Sequence, residues 1–469
     1  MEALPKMCDY SQPMGILPSG TENYNVTCYP VNGAVFSPGQ QIIVDLNNVG
    51  YLDPASISIR YRLNLTTPAD GTARAQGVSY SVVGAPVYAP FLRLDTLFNS
   101  NVVESINNYN VVCTALTNLQ YSISDKMGMQ PALGYYSQGL TVPNAGGAPT
   151  ATVDFSTTNE NTDGLTVVVT AATAANPITG TTTLGYFLSA PLPSLLLNAE
   201  KLIPLNGTNI RLQLTLDALA NICPTATTTI GSTAPTAGGA FSALTISNFE
   251  VVYNQIQFPP QIERQILDMP KIRIKTSSYA TGLQSIPAGV AGTTNLVYNL
   301  RYASIKSMFL LLGSSSANSV NKLFDSIDMT SGAGSYNFQV NGVYYPQNPL
   351  STANNRGGVL MELRRAMQNM YTGANAMSID TSEWLYTDAS VTAAVSRVNI
   401  PAKFIVGVNT RKMDTPALFT GVSSQNSPIT AVINVGSAAT GLAYSPILTL
   451  LYDAIIEIDT LTKQVNYIY

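Results

Sequence analysis

The chain has 469 residues, a formal net charge of −4, and 11% charged against 45% apolar residues, where soluble domains usually carry roughly 25% charge. It contains no histidine, which excludes Ser-His-Asp and Cys-His catalysis, histidine-ligated metal sites and the usual proton shuttle near neutral pH. No basic block of the kind that packs onto nucleic acid is present, and the length exceeds the roughly 250–300 residues over which a single core keeps growing, so two domains or one duplicated domain is expected.

The opening "MEALPKMCDY" lacks a cationic stretch followed by an apolar one, so no signal peptide is expected and synthesis in the cytoplasm follows. Residues 1–29 are punctuated by Pro and Gly and read as an extended N-terminal arm. Lys6 is its only base against Glu2, Asp9 and Glu22, so direct DNA binding is not expected. Cys8, Cys28, Cys113 and Cys223 show no CxxC spacing and do not form a disulfide framework. Buried reduced thiols are one reading, and a Cys8–Cys28 bridge is the alternative. The N-x-S/T sequons at Asn25, Asn64 and Asn206 read as chance matches in a Thr-rich chain.

Period-two alternation dominates the rest of the chain. Ile57, Ile59, Tyr61, Leu63 and Leu65 share one face, with Ser58, Arg60, Arg62 and Asn64 on the other. Ile210, Leu212, Leu214 and Leu216 alternate with Arg211, Gln213 and Thr215 in the same way. Half-buried antiparallel strands fit this pattern, and Asn248–Phe258 and Leu448–Asp459 are two more. Helical periodicity is confined to two stripes: Ile106, Tyr109, Cys113 and Leu116, then Val359, Leu363, Ala366 and Met370. Long Gly/Thr/Ala/Asn/Pro segments near 137–185 and 223–240 read as loops that pack on neighbours or project from the scaffold. The longest apolar runs, such as Ser307–Gly313, are far too short to span a bilayer.

The hairpin signal is strongest at Tyr336–Pro349, where Asn341-Gly342 suits a type I′ turn that needs positive φ at both central residues. Three signals recur in order: a short helix, an Ile-Pro opening (Pro204, Pro401) and a late strand with Tyr-x-x-Ile (Tyr253/Ile256, Tyr452/Ile455). The Pro-to-Tyr intervals are 49 and 51 positions, which points to duplication, with the seam at Phe258–Pro270. Two all-β units of this size with elaborate end loops suit jelly rolls.

Leu202–Leu216 resembles the Pro-Leu lead into an alternating strand of the first jelly roll in double jelly-roll major capsid proteins of icosahedral double-stranded DNA viruses. Phe338–Pro349 resembles the Asn-Gly hairpin and Tyr-Pro of the second jelly roll in the polinton-like virus and virophage branch. In architecture the resemblance covers residues 30–469. The expected organisation is an arm at 1–29, a first roll at 30–258, a connector at 259–270 and a second roll at 271–469. The resemblance implies a homotrimer whose six rolls form a pseudo-hexagonal tile in a virion shell, with outer loops raised into towers and the arm reaching beneath. Neighbouring capsomers, penton and minor capsid proteins are the implied partners. No catalytic residue, cofactor or metal is implied, and membrane contact stays open. On this reading Pro346 and Pro349 end the second hairpin strand so that the chain can reach the helix at 359–371.

Other readings remain for particular residues. Asp453, Glu457 and Asp459 share the parity of Ile455 and read as an outward row rather than an acid/base pair, though a histidine-free glycosidase stays open. Gly313–Ser319 lacks the Gly-Lys-Ser/Thr ending of a P-loop. Lys271, Arg273 and Lys275 line one strand face, solvated or between subunits, with phosphate or anionic lipid as the alternative contact. Arg364 and Arg365 are read likewise. Trp384 reads as an anchor for the loop after the helix, with a ligand platform as the alternative. A viral spike or a receptor- or carbohydrate-binding β-sandwich is the competing function.

Overall fold

The computed structural model describes residues 20–47, 49–67, 79–141, 150–153, 164–171, 183–223, 240–287, 290, 292–314, 334–352, 354–368, 377–380, 384, 403–412, 419–434 and 444–469. The first half opens with β1 (Glu22–Cys28), β2 (Val35–Phe36), β3 (Gln41–Asp45), β4 (Tyr51–Leu52) and β5 (Ser58–Thr66). β6 (Ser79–Val83), β7 (Phe91–Phe98) and β8 (Asn101–Asn107) lead into helices α1 (Tyr109–Gln120), α2 (Ile123–Gly128) and α3 (Gln130–Leu133). Then come β9 (Ser137–Thr141), β10 (Thr150–Val153), β11 (Gly164–Ala171) and β12 (Thr183–Pro191). β13 (Ile203–Pro204), β14 (Ile210–Leu216), α4 (Leu219–Ile222) and β15 (Ala243–Gln257) complete this half.

One sheet runs β12-β5-β15-β4-β13, with β1 and β2 also paired to β15, and a second runs β3-β14-β7-β8. Their apolar faces close one core. Ile57, Ile59, Tyr61, Leu63 and Leu65 are buried in it beside Leu94, Ile210, Leu212 and Leu214, while Arg60 and Arg62 face out. The alternation read from the sequence is thus the layering of a sandwich.

After helix α5 (Pro260–Leu267), β16 (Lys271–Leu283), β17 (Thr293–Tyr298), β18 (Ile305–Ser314), β19 (Ser335–Val340) and β20 (Val343–Ser351) lead to α6 (Arg356–Gln368). β21 (Ile405–Asn409), β22 (Ile429–Asn434), β23 (Tyr444–Asp459) and β24 (Val465–Ile468) come last. Here one sheet runs β16-β23-β18-β21 with β24 on β23, and the other runs β17-β22-β19-β20. The two halves trace one path. β12-β5-β15 corresponds to β21-β18-β23, and β3-β14-β7-β8 to β17-β22-β19-β20. Each has a tight hairpin with left-handed turn residues, Asn99-Ser100 (φ 48° and 70°) and Asn341-Gly342 (φ 50° and 79°), and each hairpin precedes a helix. The fold is a double jelly roll.

Several local readings need correction. Pro346 and Pro349 do not end β20: it runs on to Ser351, pairing Leu350 with Tyr336 and Ser351 with Ser335. Between Tyr345, opposite Phe338, and Leu350 the ladder is irregular, so the prolines fall where β19 asks for no N–H. Within the span read as an arm, β1 pairs with β15 along its whole length. The span read as loop near 137–185 contains β9, β10 and β11, which with β6 form a separate sheet in the order β10-β9-β11-β6. This sheet hangs on the neighbouring strands β5 and β12, whose ends Thr66 and Thr183 are paired through their hydroxyls at 3.3 Å. The Ile-Pro spacing does not mark equivalent positions: Ile203-Pro204 leads to β14, the counterpart of β22, whereas Pro401 lies outside the described residues and precedes β21, the counterpart of β12. Cys8, Met370 and residues 224–239 also lie outside the described residues. Cys28, Cys113 and Cys223 are buried free thiols. Trp384 is buried against Phe404, ring centroids 5.1 Å apart, and its Nε1–H donates to the Ile405 carbonyl at 3.0 Å, which fits an anchor.

Helix α1 ties the halves together. Tyr109, Val112, Cys113 and Leu116 join the first core, while Val111, Ala115 and Leu119 join the second. Its polar stripe is covered as well as its apolar faces: Thr114 Oγ1 accepts the Ala85 N–H at 3.1 Å, Asn110 Nδ2 donates to Asp217 at 2.9 Å, and Thr117 Oγ1 donates to the Cys113 carbonyl at 2.8 Å. Because Ile59 is fully buried, Ile59→Asp places a lone carboxylate among hydrocarbon, at a cost of several kcal/mol. The expected outcome is loss of soluble folded protein, checked by soluble yield and thermal melting against the parent.

Candidate functional site: the seam between the rolls

The seam is built from β8 and the stretch Leu192–Glu200 of the first roll, laid over β16 of the second. Thr276 Oγ1 donates to the Leu195 carbonyl at 2.5 Å, Asn198 Nδ2 to the Ser277 carbonyl at 3.0 Å, and the Glu200 N–H to the Lys275 carbonyl at 3.0 Å. Lys275 also pairs with Glu200 at 3.0 Å, and Thr281 Oγ1 donates to the Asn107 carbonyl at 2.7 Å.

At the centre lies Glu104, a residue that strand alternation alone does not single out. β8 bulges opposite β7, where Thr96 faces Glu104 and Leu97 faces Val102. The extra residue, Val103, breaks the alternation, and Val103 and Glu104 are both buried. Glu104 Oε1 accepts the Leu195 N–H at 2.9 Å and the Ser278 hydroxyl, and Oε2 accepts the Thr96 hydroxyl at 3.0 Å. Burial pushes this carboxyl up to about 7 from an ordinary 4.5, against the pull of these three hydrogen bonds, with Asp95 adding to the rise. An acid whose folded pKa is raised contributes most stability below its unfolded value and loses it as pH climbs through the folded one.

The carboxylate row on β23 is not an outward face. Asp453 is fully buried and pairs with Lys306 at 2.5 Å, while the Ser304 hydroxyl donates to it at 2.9 Å. Lys306, at a bulge in β18, also donates to Ser277 Oγ at 2.7 Å. Burial pulls the Lys306 pKa down, and Asp453 opposes that. Glu457 lies between Lys271 at 2.8 Å and Arg273 at 2.7 Å, which hold its carboxyl below the usual range. The Asp459 carboxylate accepts the Leu461 and Thr462 N–H groups at 3.0 and 2.9 Å. Lys271, Arg273 and Lys275 therefore face carboxylates of their own chain. Arg364 and Arg365 are exposed on α6, and Arg365 pairs with Glu362 at 2.5 Å.

Among the described residues, no cluster of three or more Cys, Asp or Glu side chains could hold a metal, and no helix is long and apolar enough to cross a membrane. An open cleft of about 560 Å³ lies on the first roll between Tyr29, Arg60, Phe187, Asn248 and Glu250. Among the described residues that line it, Glu250 is the single carboxylate, so they do not supply the paired carboxylates of a glycosidase.

No protein-family model matches the chain, and no curated protein sequence matches it. Solved structures do. The capsid of PBCV-1 aligns with a TM-score of 0.55 at 10% identity, covering 97% of this chain and 98% of that one. The mavirus major capsid protein aligns at 0.54 and 12%, covering 100% and 96%. The Sputnik virophage structure aligns at 0.53 and 13%, covering 100% and 92%. Both rolls, in this order, are therefore shared with these viral structures at the level of fold.

Two measurements probe the seam. In the parent, the thermal midpoint should fall between pH 5 and pH 8 as Glu104 is forced to ionise, by the equivalent of about 3 kcal/mol for a shift of this size. Glu104→Gln should flatten that part of the pH profile. Lys306→Met should destabilise by about 3–5 kcal/mol, since it leaves Asp453 buried and unpaired, while Lys306→Met with Asp453→Leu should recover most of the loss in denaturant unfolding.

Proposed function

We propose that the chain is the major capsid protein of an icosahedral double-stranded DNA virus, a structural protein that works as a homotrimeric capsomer. The observation that carries this reading is the end-to-end match with viral capsid structures, which takes in both rolls and leaves almost none of either chain uncovered. The physical character of the molecule supports it. A double sandwich with 11% charged residues and exposed large apolar side chains at Tyr29, Phe187, Val343 and Leu461 suits extensive permanent contacts.

In this role the rolls at 30–258 and 271–469 supply two of the six sandwiches of a pseudo-hexagonal tile, with 259–270 as the connector. The sheet β10-β9-β11-β6 forms part of a tower on the outer face. The segment ahead of β1 reaches beneath the shell, and neighbouring capsomers, pentons and minor capsid proteins are the contacts. The chain is made in the host cytoplasm, carries no catalytic activity and acts in the virion. Light scattering on the purified protein should return three times the 49.9 kDa chain mass. A stable monomer at micromolar concentration overturns the reading.

A further inference from the structure

Helix α5 carries an apolar side that neither core uses. Ile262 and Ile266 are one turn apart, with Leu267 beside them, yet no residue of the helix is buried. The two isoleucines are half-exposed and belong to neither core. Glu263 holds the helix to the first roll by accepting a hydrogen bond from Asn206 Nδ2. Just past the helix stands Met269, 53% accessible, and near it Leu461, 86% accessible. Thr460 Oγ1 donates to the Met269 carbonyl at 2.5 Å, which sets the turn between β23 and β24 against the end of α5. Adjoining exposed apolar side chains of this kind mark a contact surface.

The chain's own N-terminal segment starts from this place. β1 and β15 are antiparallel, with Glu22 opposite Gln257, so the residues ahead of β1 and the helix after β15 leave the sheet at the same end. Gly20 lies against Pro259 at the foot of α5, where a Cβ on the glycine would stand 3.6 Å from the proline Cγ. Residues 1–19 precede this point, and Met14-Gly15-Ile16-Leu17 is an apolar cluster between Pro13 and Pro18, which disfavour a helix there. Extended chain at about 3.3–3.6 Å per residue carries the stretch from Leu17 back to Met14 roughly 10–22 Å beyond Gly20. At about 1.5 Å per residue, α5 carries Met269 roughly 15 Å beyond Pro259. The two lengths match. We propose that Met14, Ile16 and Leu17 seat on the apolar side of α5 in their own chain, over Ile266, Leu267, Met269 and Leu461. A tether this short holds the segment at a high effective concentration, an advantage that a separate protein lacks. The contact uses only residues 14–17 of the segment, and it stands or falls in a single chain, independently of the trimer reading.

The test uses the full chain, with thermal melting as the control for folding. Ile16→Asp with Leu17→Asp should speed amide hydrogen exchange in α5 about tenfold, the scale of one large apolar side chain half-withdrawn from water. Exchange in β5 and β14 should stay as in the parent. Should that variant fold poorly, Ile16→Ser with Leu17→Ser replaces it, with the same result expected. The partner side is read separately. Ile16→Cys with Met269→Cys, in a Cys8→Ser background, should form a disulfide within one chain under oxidised glutathione, seen by mass spectrometry after digestion and as a single-chain band on a non-reducing gel. Cys28, Cys113 and Cys223 are buried and do not compete. Exchange in α5 that is unchanged by the substitutions overturns the docking, and so does failure of the two cysteines to bridge. A bridge between chains overturns seating on the chain's own helix and assigns the segment to a neighbouring copy.

Discussion

Complete coverage of α1 is the constraint on which the rest of the molecule depends. An amphipathic helix can cap one sandwich and leave its polar side in water, but α1 keeps even its polar stripe of Asn110, Thr114, Thr117 and Asn118 buried. Eleven of its twelve residues, Tyr109–Leu119, are buried, and its faces belong to two different cores. At roughly 1.5–3 kcal/mol for each large apolar side chain removed from water, Val111 and Leu119 make separation of the rolls costly before any hydrogen bond across the seam is counted. The Leu119 carbonyl accepts the Ser378 N–H at 2.9 Å, and Asp380 accepts the Ile123 N–H at 2.8 Å. The rolls thus behave as one body with a shared helix.

That arrangement explains why buried charge can be tolerated at the seam. Glu104, Asp453 and Lys306 sit where two apolar layers meet, and each finds partners that water would otherwise supply. Buried polar groups of this sort add little net stability, yet removing one partner is expensive. A slipped register between β16 and the Leu192–Glu200 stretch would orphan several of them at once. The charges fix alignment, and the apolar contacts supply the attraction.

Much of the architecture was legible in the sequence because period-two alternation records which face meets a core. β5 and β14 kept their parity without interruption, and Asn341-Gly342 marked its turn through the positive φ it needs. The misreadings cluster where one extra residue shifts parity or where another element covers a face. Val103 does the first at β8 and hid Glu104. Lys306, also at a bulge, hides in the same way. Asp453 and Glu457 sit at the parity expected of a solvated row, but strand alternation says nothing about what lies above the sheet, and there the partners are Lys306, Lys271 and Arg273. The prolines of β20 misled for a related reason, since a proline ends a strand only where the ladder requires its N–H. The helix and the late strand hold corresponding places in the two halves, while the Ile-Pro interval links strands that are not equivalent.

The paired ends Thr66 and Thr183 have a consequence for how such a molecule changes over time. The strands of the β10-β9-β11-β6 sheet come from two segments between them, β6 after β5 and β9 to β11 before β12, while β7, β8 and α1 in between belong to the first roll. Lengthening a segment whose ends are already held together costs only about 0.6 kcal/mol per doubling. Those two segments can therefore grow, shrink or be exchanged for unrelated sequence with little penalty to the sandwich, whose own strands stay bound to their geometry.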